Sequence, residues 1–203
     1  MIIAKYRYLR EVEDLCRSGK TKENNVGLEI KGKTVGIIGL GKIGRRSAEL
    51  LDAFGANVIA CNSRLIEDCP PYVVERPMDD LLQESDIVIL HCPLNESTRN
   101  LINMDKIKRM KKSALLVNVA RGPIINTKDL QEALEKGIIA GACIDVFDQE
   151  PPLSKEEPLL STPNTLVTPH VAFATQESMV LRAEIVFDNL RAWLDGEQQN
   201  IIL

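Results

Sequence analysis

Six residues, Gly39-Leu40-Gly41-Lys42-Ile43-Gly44, have the types and spacing to hold a diphosphate. They follow the apolar run Thr34–Ile38 and open an amphipathic stretch, Ile43–Phe54. In that strand–turn–helix setting GxGxxG is a dinucleotide-binding fingerprint. Gly39 permits the tight turn, Gly41 lets a pyrophosphate approach backbone N–H groups, and Gly44 lets the helix pack close to the strand. The helix N-terminus adds partial positive charge for the phosphates. An acid that accepts from the ribose hydroxyls is expected about 20 residues further on. Asn62 stands there instead, followed by Ser63 and Arg64, with no carboxylate before Glu67 and Asp68. A carboxylate would repel a 2′-phosphate, whereas Asn62, Ser63 and Arg64 can hydrogen-bond and neutralise one. The expected cofactor is NADP, with NAD as the alternative.

Three later segments carry groups suited to proton transfer and carboxylate binding. Asn118–Pro123 contains Arg121, Asp145–Pro151 contains Glu150, and Thr168–Ala172 contains His170. Each begins at the C-terminal end of an expected strand, where open α/β sheets bind ligands. An imidazole changes charge near neutral pH and serves as a general acid. A carboxylate can orient it and favour its charged form. A guanidinium grips a substrate carboxylate through two parallel bonds and polarises a neighbouring carbonyl. His91 reads as structural or peripheral to the cofactor pocket.

The elements that must position these residues alternate between short apolar runs and amphipathic ones. Strands are expected at Thr34–Ile38, Asn57–Cys61, Asp86–His91, Ala114–Val119, Ile139–Asp145 and Thr165–Thr168, with a weaker one near Tyr72–Val74. Runs such as Ile87–Leu90 are apolar throughout, as in parallel strands buried on both faces. Helices are expected at Ile43–Phe54, Met78–Gln83, Met104–Lys108, Lys128–Glu135 and Gln176–Leu194. Thr127 and Thr175 precede two of them as start signals, Thr175 with Ser178 where a capping box has an acid, and Gly137 fits a helix end. Strand–helix alternation predicts an α/β fold, a Rossmann-type doubly wound parallel sheet. Residues 1–20 read as one amphipathic helix and Ser18–Gly32 as a polar connector. Gln149–Asn164, with four prolines, reads as a long functional loop.

At this point the chain resembles the D-isomer-specific 2-hydroxyacid dehydrogenases, including their glyoxylate/hydroxypyruvate reductase and phosphoglycerate dehydrogenase branches. The resemblance runs from about Gly32 to Asn189. It rests on GLGKIG, LHCPLNESTRNLI, NVARGPIIN, DVFDQEP and TPHVAFAT, in the family's order. It implies that Arg121, Glu150 and His170 are the catalytic set and that Asp145 meets the nicotinamide carboxamide. The cofactor-contacting residues it implies are Gly39, Gly41, Lys42, Ile43, Asn62, Ser63, Arg64, Cys92, Pro93, Thr98, Val119, Ala120, Asp145 and His170. The expected activity is hydride transfer between NAD(P)H and a 2-keto or D-2-hydroxy acid. The alternative is a non-catalytic dinucleotide-binding or sensing module. A complete family subunit has a second, substrate-binding domain, most of which is expected to be absent here. The expected layout is a linker helix and connector at 1–31, the dinucleotide-binding domain at 32–194 and a tail at 195–203. A homodimer is expected, with the stripe Leu9, Val12, Leu15 and Cys16 of the first helix covered by a partner.

Composition excludes other classes. The 203 residues are 44% hydrophobic and 27% charged, an ordinary globular mix with a net charge of −4. No basic run and only 4% aromatic residues leave no footprint for nucleic acid. No apolar run approaches the ~18 residues of a membrane span, and the charged N-terminus does not read as a signal peptide. Five cysteines, an odd number without CxxC spacing, read as reduced cytoplasmic thiols, and the two histidines form no metal-type cluster with them.

Overall fold

A computed structural model describes every residue except Glu23, Leu65, Glu67, Pro151, Ile202 and Leu203. The Glu67 carboxylate, one proline of the expected long loop and the end of the expected tail therefore lie outside the described residues. Met1–Pro169 form one compact unit and His170–Leu203 a second.

The first unit is built on seven parallel strands: β1 (Thr34–Ile38), β2 (Asn57–Cys61), β3 (Val73–Glu75), β4 (Ile87–Leu90), β5 (Leu115–Asn118), β6 (Gly141–Ile144) and β7 (Thr165–Val167). Their order is β3-β2-β1-β4-β5-β6-β7, so the chain reverses its direction of travel across the sheet between β3 and β4. Before and between the strands lie α1 (Ile2–Tyr6), α2 (Leu9–Arg17), α3 (Lys42–Ala53), α4 (Met78–Glu84), α5 (Met104–Ile107), α6 (Thr127–Glu135) and α7 (Pro158–Ser161). Alternate strand residues point to opposite faces. Val35 and Ile37 of β1 join Ala48 and Leu51 of α3 and Tyr6 of α1 in one core layer. Ile38 of β1 joins Leu81 and Leu82 of α4, Ile107 of α5 and Leu130 of α6 in the other. Both faces of the sheet are thus covered, as the uninterrupted apolar strands require.

Register brings the strand ends level. Ile38 pairs with both Cys61 and Leu90, Leu90 with Asn118, Asn118 with Ile144, and Ile144 with Val167. The loops that leave these residues therefore start from one edge of the sheet.

Three local expectations need correction. The N-terminal helix is broken into α1 and α2 with Tyr8 left-handed at φ 50°. The Tyr6 carbonyl, which a continuous helix would give to Arg10, instead accepts from the Leu28 N–H at 2.8 Å. Thr127 is the first residue of α6 rather than its cap. The cap is Asn126, whose side chain accepts from the Asp129 N–H at 3.2 Å. The long loop contains the short helix α7, capped by the Glu157 carboxylate.

The second unit holds α8 (Gln176–Leu194). Ser178 completes a reciprocal capping box there without a carboxylate: Thr175 N–H donates to its Oγ at 2.9 Å, and its own N–H donates to Thr175 Oγ1 at 3.1 Å. No helix of the described residues is long and apolar enough to cross a membrane.

Candidate functional site

The glycine loop between β1 and α3 is shaped as the spacing demands. Gly39 has φ +100°, and a Cβ there would stand 2.6 Å from the Cys92 nitrogen. A Cβ on Gly44 would stand 2.2 Å from the Gly39 carbonyl oxygen, so α3 packs on the strand end through bare backbone. Gly41, the N-cap of α3, has nothing within 4 Å of the position a Cβ would take. Lys42 and Ile43 form the exposed first turn, which holds no acidic residue. An anion can therefore approach the orphan N–H groups of a 12-residue helix from open space. These features fit a dinucleotide diphosphate.

Beside this loop a cleft of about 900 Å³ opens over the ends of β1, β2 and β4. Gly39, Asn62, Ser63, Arg64, Cys92, Pro93 and Thr98 all line it. Asn62 is committed in part. Its Oδ1 accepts from the Leu40 N–H at 2.6 Å and braces the glycine loop. Arg64 is exposed and has no ion-pair partner among the described residues. Thr98 Oγ1 donates to the Pro93 carbonyl at 2.7 Å and accepts from the Asn95 N–H at 2.8 Å, folding the loop after β4 back on itself. Cys61 and Cys92 also face the cleft. Burial pushes the Cys61 thiol up to about 11 and raises that of Cys92, so both stay protonated and are poor nucleophiles.

Two cleft residues escape a reading confined to the end of β2. Glu75 closes β3 and Arg76 follows it, yet both line the same cleft. The signal was the weak strand near Tyr72–Val74, whose pairing beside β2 carries the next two residues to the cleft.

Val119, Ala120 and Asp145 are not among the residues lining that cleft; they lie at the ends of β5 and β6. There the loops are clamped by buried polar side chains. Asn118, 1% exposed, accepts from the Ala120 N–H at 3.1 Å through Oδ1 and donates from Nδ2 to the Arg121 carbonyl at 2.9 Å. Asp145, also 1% exposed, accepts from Thr168 Oγ1 at 2.5 Å. Gly122 permits the closest approach: a Cβ there would lie 2.0 Å from the Phe147 carbonyl. Thr127 Oγ1 donates to Asp148 at 2.9 Å, so the loop that carries Glu150 is tied to the head of α6. Arg121 and Glu150 are exposed above these clamps, and Arg121 Nη1 donates to the Ala120 carbonyl at 2.6 Å. Asn118, Gly122 and Thr168 lie inside the quoted motifs but are not singled out by residue type.

His170 belongs to the second unit. It is left-handed at φ 57°, and its ring stands edge-on to Phe173 with centroids 5.6 Å apart. His91 bonds through Nε2 to Ser47 Oγ at 2.9 Å, joining the end of β4 to α3. Burial lowers its pKa, in keeping with a structural histidine. Among the described residues no three His, Cys, Asp or Glu side chains gather as a metal site.

A doubly wound parallel sheet with a glycine cradle at its switch point defines a dinucleotide-binding domain of the Rossmann class. The chain belongs to the D-isomer specific 2-hydroxyacid dehydrogenases: the profile of that family's NAD binding domain matches residues 1–172. A glyoxylate reductase of Thermofilum pendens is 40% identical over 205 residues, covering 97% of this chain and 60% of that protein. The NAD-complexed D-isomer specific 2-hydroxyacid dehydrogenase of Lactobacillus delbrueckii ssp. bulgaricus superposes with a TM-score of 0.86 at 33% identity. That match covers 100% of this chain and 66% of the other. An acyclic imino acid reductase in complex with NADPH and D-Arg gives 0.90 at 28% identity, covering 100% and 65%. The chain thus spans about 60% of the length of the first of these relatives.

Proposed function

We propose that this chain is the cofactor-binding part of an oxidoreductase that reduces a small 2-keto acid to a D-2-hydroxy acid with NADPH. The observation that carries the reading is the open backbone cradle at Gly41, set beside a cleft whose β2 end presents Asn62, Ser63 and Arg64. Residues 32–194 are the dinucleotide-binding domain in this reading, with a substrate-binding domain supplied by further chain. A bound nicotinamide supplies the hydride. The N–H groups around Gly41 hold the diphosphate, Arg64 the 2′-phosphate, and Asp145 the carboxamide. Arg121 grips the substrate carboxylate, His170 gives a proton to the carbonyl oxygen, and Glu150 favours the charged imidazole. The likeness to a glyoxylate reductase favours glyoxylate or a close homologue as substrate.

A homodimer follows from the same family reading. It is supported by α8, which exposes apolar residues around its circumference, among them Val180, Phe187 and Trp193. Such a helix is ordinarily covered. The five unpaired cysteines favour a reducing, cytoplasmic location.

Calorimetry with NADPH and NADH, followed by nicotinamide absorbance after addition of glyoxylate to the intact subunit, tests this function. Binding of NADPH and keto-acid-dependent oxidation are expected, with turnover falling by about 10²–10⁴ in His170→Ala. Binding without turnover in the intact subunit would favour a sensing module, and absence of binding would overturn both.

A further inference from the structure

The cleft that holds Ser63 and Arg64 has a second arginine in its wall. Arg76 donates its backbone N–H to the Ala60 carbonyl at 2.9 Å, which seats it beside the end of β2. Its guanidinium is loosely held. Nε stands 3.3 Å from both carboxylate oxygens of Glu84, Nη1 donates to the Glu75 carbonyl at 3.2 Å, and Nη2 has no partner among the described residues. The Arg76 and Glu84 side chains are 38% and 46% exposed, so water screens the pair and it contributes little.

We propose that Arg76 is a second cation for the cofactor's 2′-phosphate, held in reserve by Glu84. The proposal rests on the reading of the cleft as an NADP site. A phosphate monoester carries close to two negative charges at neutral pH, more than one arginine neutralises. The Glu75 carboxylate lines the same cleft and repels that phosphate, which makes a second cation necessary for tight binding. Arg76 can turn about its own side-chain bonds without moving the backbone. It then exchanges an exposed carboxylate for a phosphate that accepts two parallel N–H bonds. Glu84 becomes a specificity determinant that competes for Arg76 without touching the ligand.

The probes are 2′,5′-ADP and 5′-AMP, which differ by the 2′-phosphate alone, titrated into wild type, Arg64→Ala, Arg76→Ala and Glu84→Gln. Arg76→Ala is expected to weaken 2′,5′-ADP by about tenfold and leave 5′-AMP within about twofold. Glu84→Gln is expected to tighten 2′,5′-ADP by about two- to fivefold, again without effect on 5′-AMP. An equal loss of both ligands in Arg76→Ala makes Arg76 a structural support and overturns the proposal. So does a 2′,5′-ADP affinity that depends on Arg64 but not on Arg76. A wild type that prefers neither ligand overturns the NADP reading itself, a separate failure.

Discussion

The two halves of the sheet's carboxyl edge are built by opposite means. On the cofactor half, over β1, β2 and β4, the site is made by leaving side chains out: Gly39 and Gly44 allow backbone to meet backbone, and Gly41 opens onto empty space. On the other half, over β5 and β6, it is made by burying polar side chains. Asn118 pins the loop of Arg121, and Thr168 bonds to Asp145. The first construction admits a large ligand along the backbone. The second fixes the loops that carry Arg121 and Glu150. It follows that binding and stability are separable at Gly41, where the first half opens, and inseparable at Gly122, where the second closes.

The largest expected effect lies where the halves differ most. Gly122→Val drives a side chain into the Phe147 carbonyl, from which a Cβ would stand 2.0 Å. The Gly122 loop cannot yield without straining the Asn118 clamp, nor the Phe147 loop without straining the Thr127–Asp148 bond, so a stability loss of about 3 kcal/mol or more is expected in urea denaturation. A loss below about 0.5 kcal/mol, the scale of ordinary surface changes, would show that these loops are not clamped together. Gly41→Val is the counterpart. Nothing surrounds its Cβ position, so stability should stay within about 0.5 kcal/mol. Dinucleotide affinity should nonetheless fall about a hundredfold, or 2.7 kcal/mol, because the side chain occupies the approach to the helix N-terminus. Equal damage to both quantities in Gly41→Val would erase the contrast.

The same contrast explains what the sequence reveals. A site made of absent side chains leaves its signature as spacing, so Gly39, Gly41 and Gly44 are legible by themselves, as are the boundaries of β1, β2 and α8. A site made of clamps is not, because nothing in the types Asn118, Gly122 or Thr168 says which backbone groups they will meet. The surrounding segments are marked by their place at the ends of expected strands and by family resemblance, which give the neighbourhood and not the contacts. Glu75 and Arg76 were hidden for another reason: their place in the cleft depends on a three-residue strand pairing with β2, a tertiary fact with a weak local signal. The break between α1 and α2 is likewise imposed from a distance, by the Leu28 N–H.

Arg64→Ala sharpens the cofactor half on a finer scale. Arg64 lines the cleft without a carboxylate partner among the described residues, so its charge is available to a ligand. Its loss should weaken NADPH by one to two decades, roughly 1.5–3 kcal/mol for a hydrogen bond to a charged group, and leave NADH unchanged. Stability should not move, as for Gly41. Equal wild-type affinity for the two cofactors, unaltered by the substitution, would place the 2′-phosphate elsewhere.

The smallest effect concerns the joint between the halves. His91 follows β4, next to the switch in strand order, and bonds Ser47 of α3. Burial lowers its pKa below the ordinary 6.5, so the unfolded chain holds the proton more readily than the folded one. The sign follows by linkage: this stability is fully present above pH 6.5 and is lost as pH falls through the lower folded value. Asp79 and Asp86 also have lowered pKa values. For Asp79 the cause is first the Lys106 hydrogen bond; for Asp86, burial raises the value but the Thr34 N–H and Lys111 outweigh it. Their contributions are lost in more acidic solution, below about pH 4, where unfolded carboxyls protonate. Between about pH 6.5 and 5, comparison with a variant that lacks the imidazole isolates His91, because every other titrating group is common to both proteins. His91→Gln keeps a partner for Ser47 and removes the titration. Urea midpoints measured at intervals across that range should fall for wild type and stay level for the variant, so that the two curves converge on acidification. Parallel curves would mean that His91 is as easily protonated in the fold as outside it, and that the joint at Ser47 is open to water.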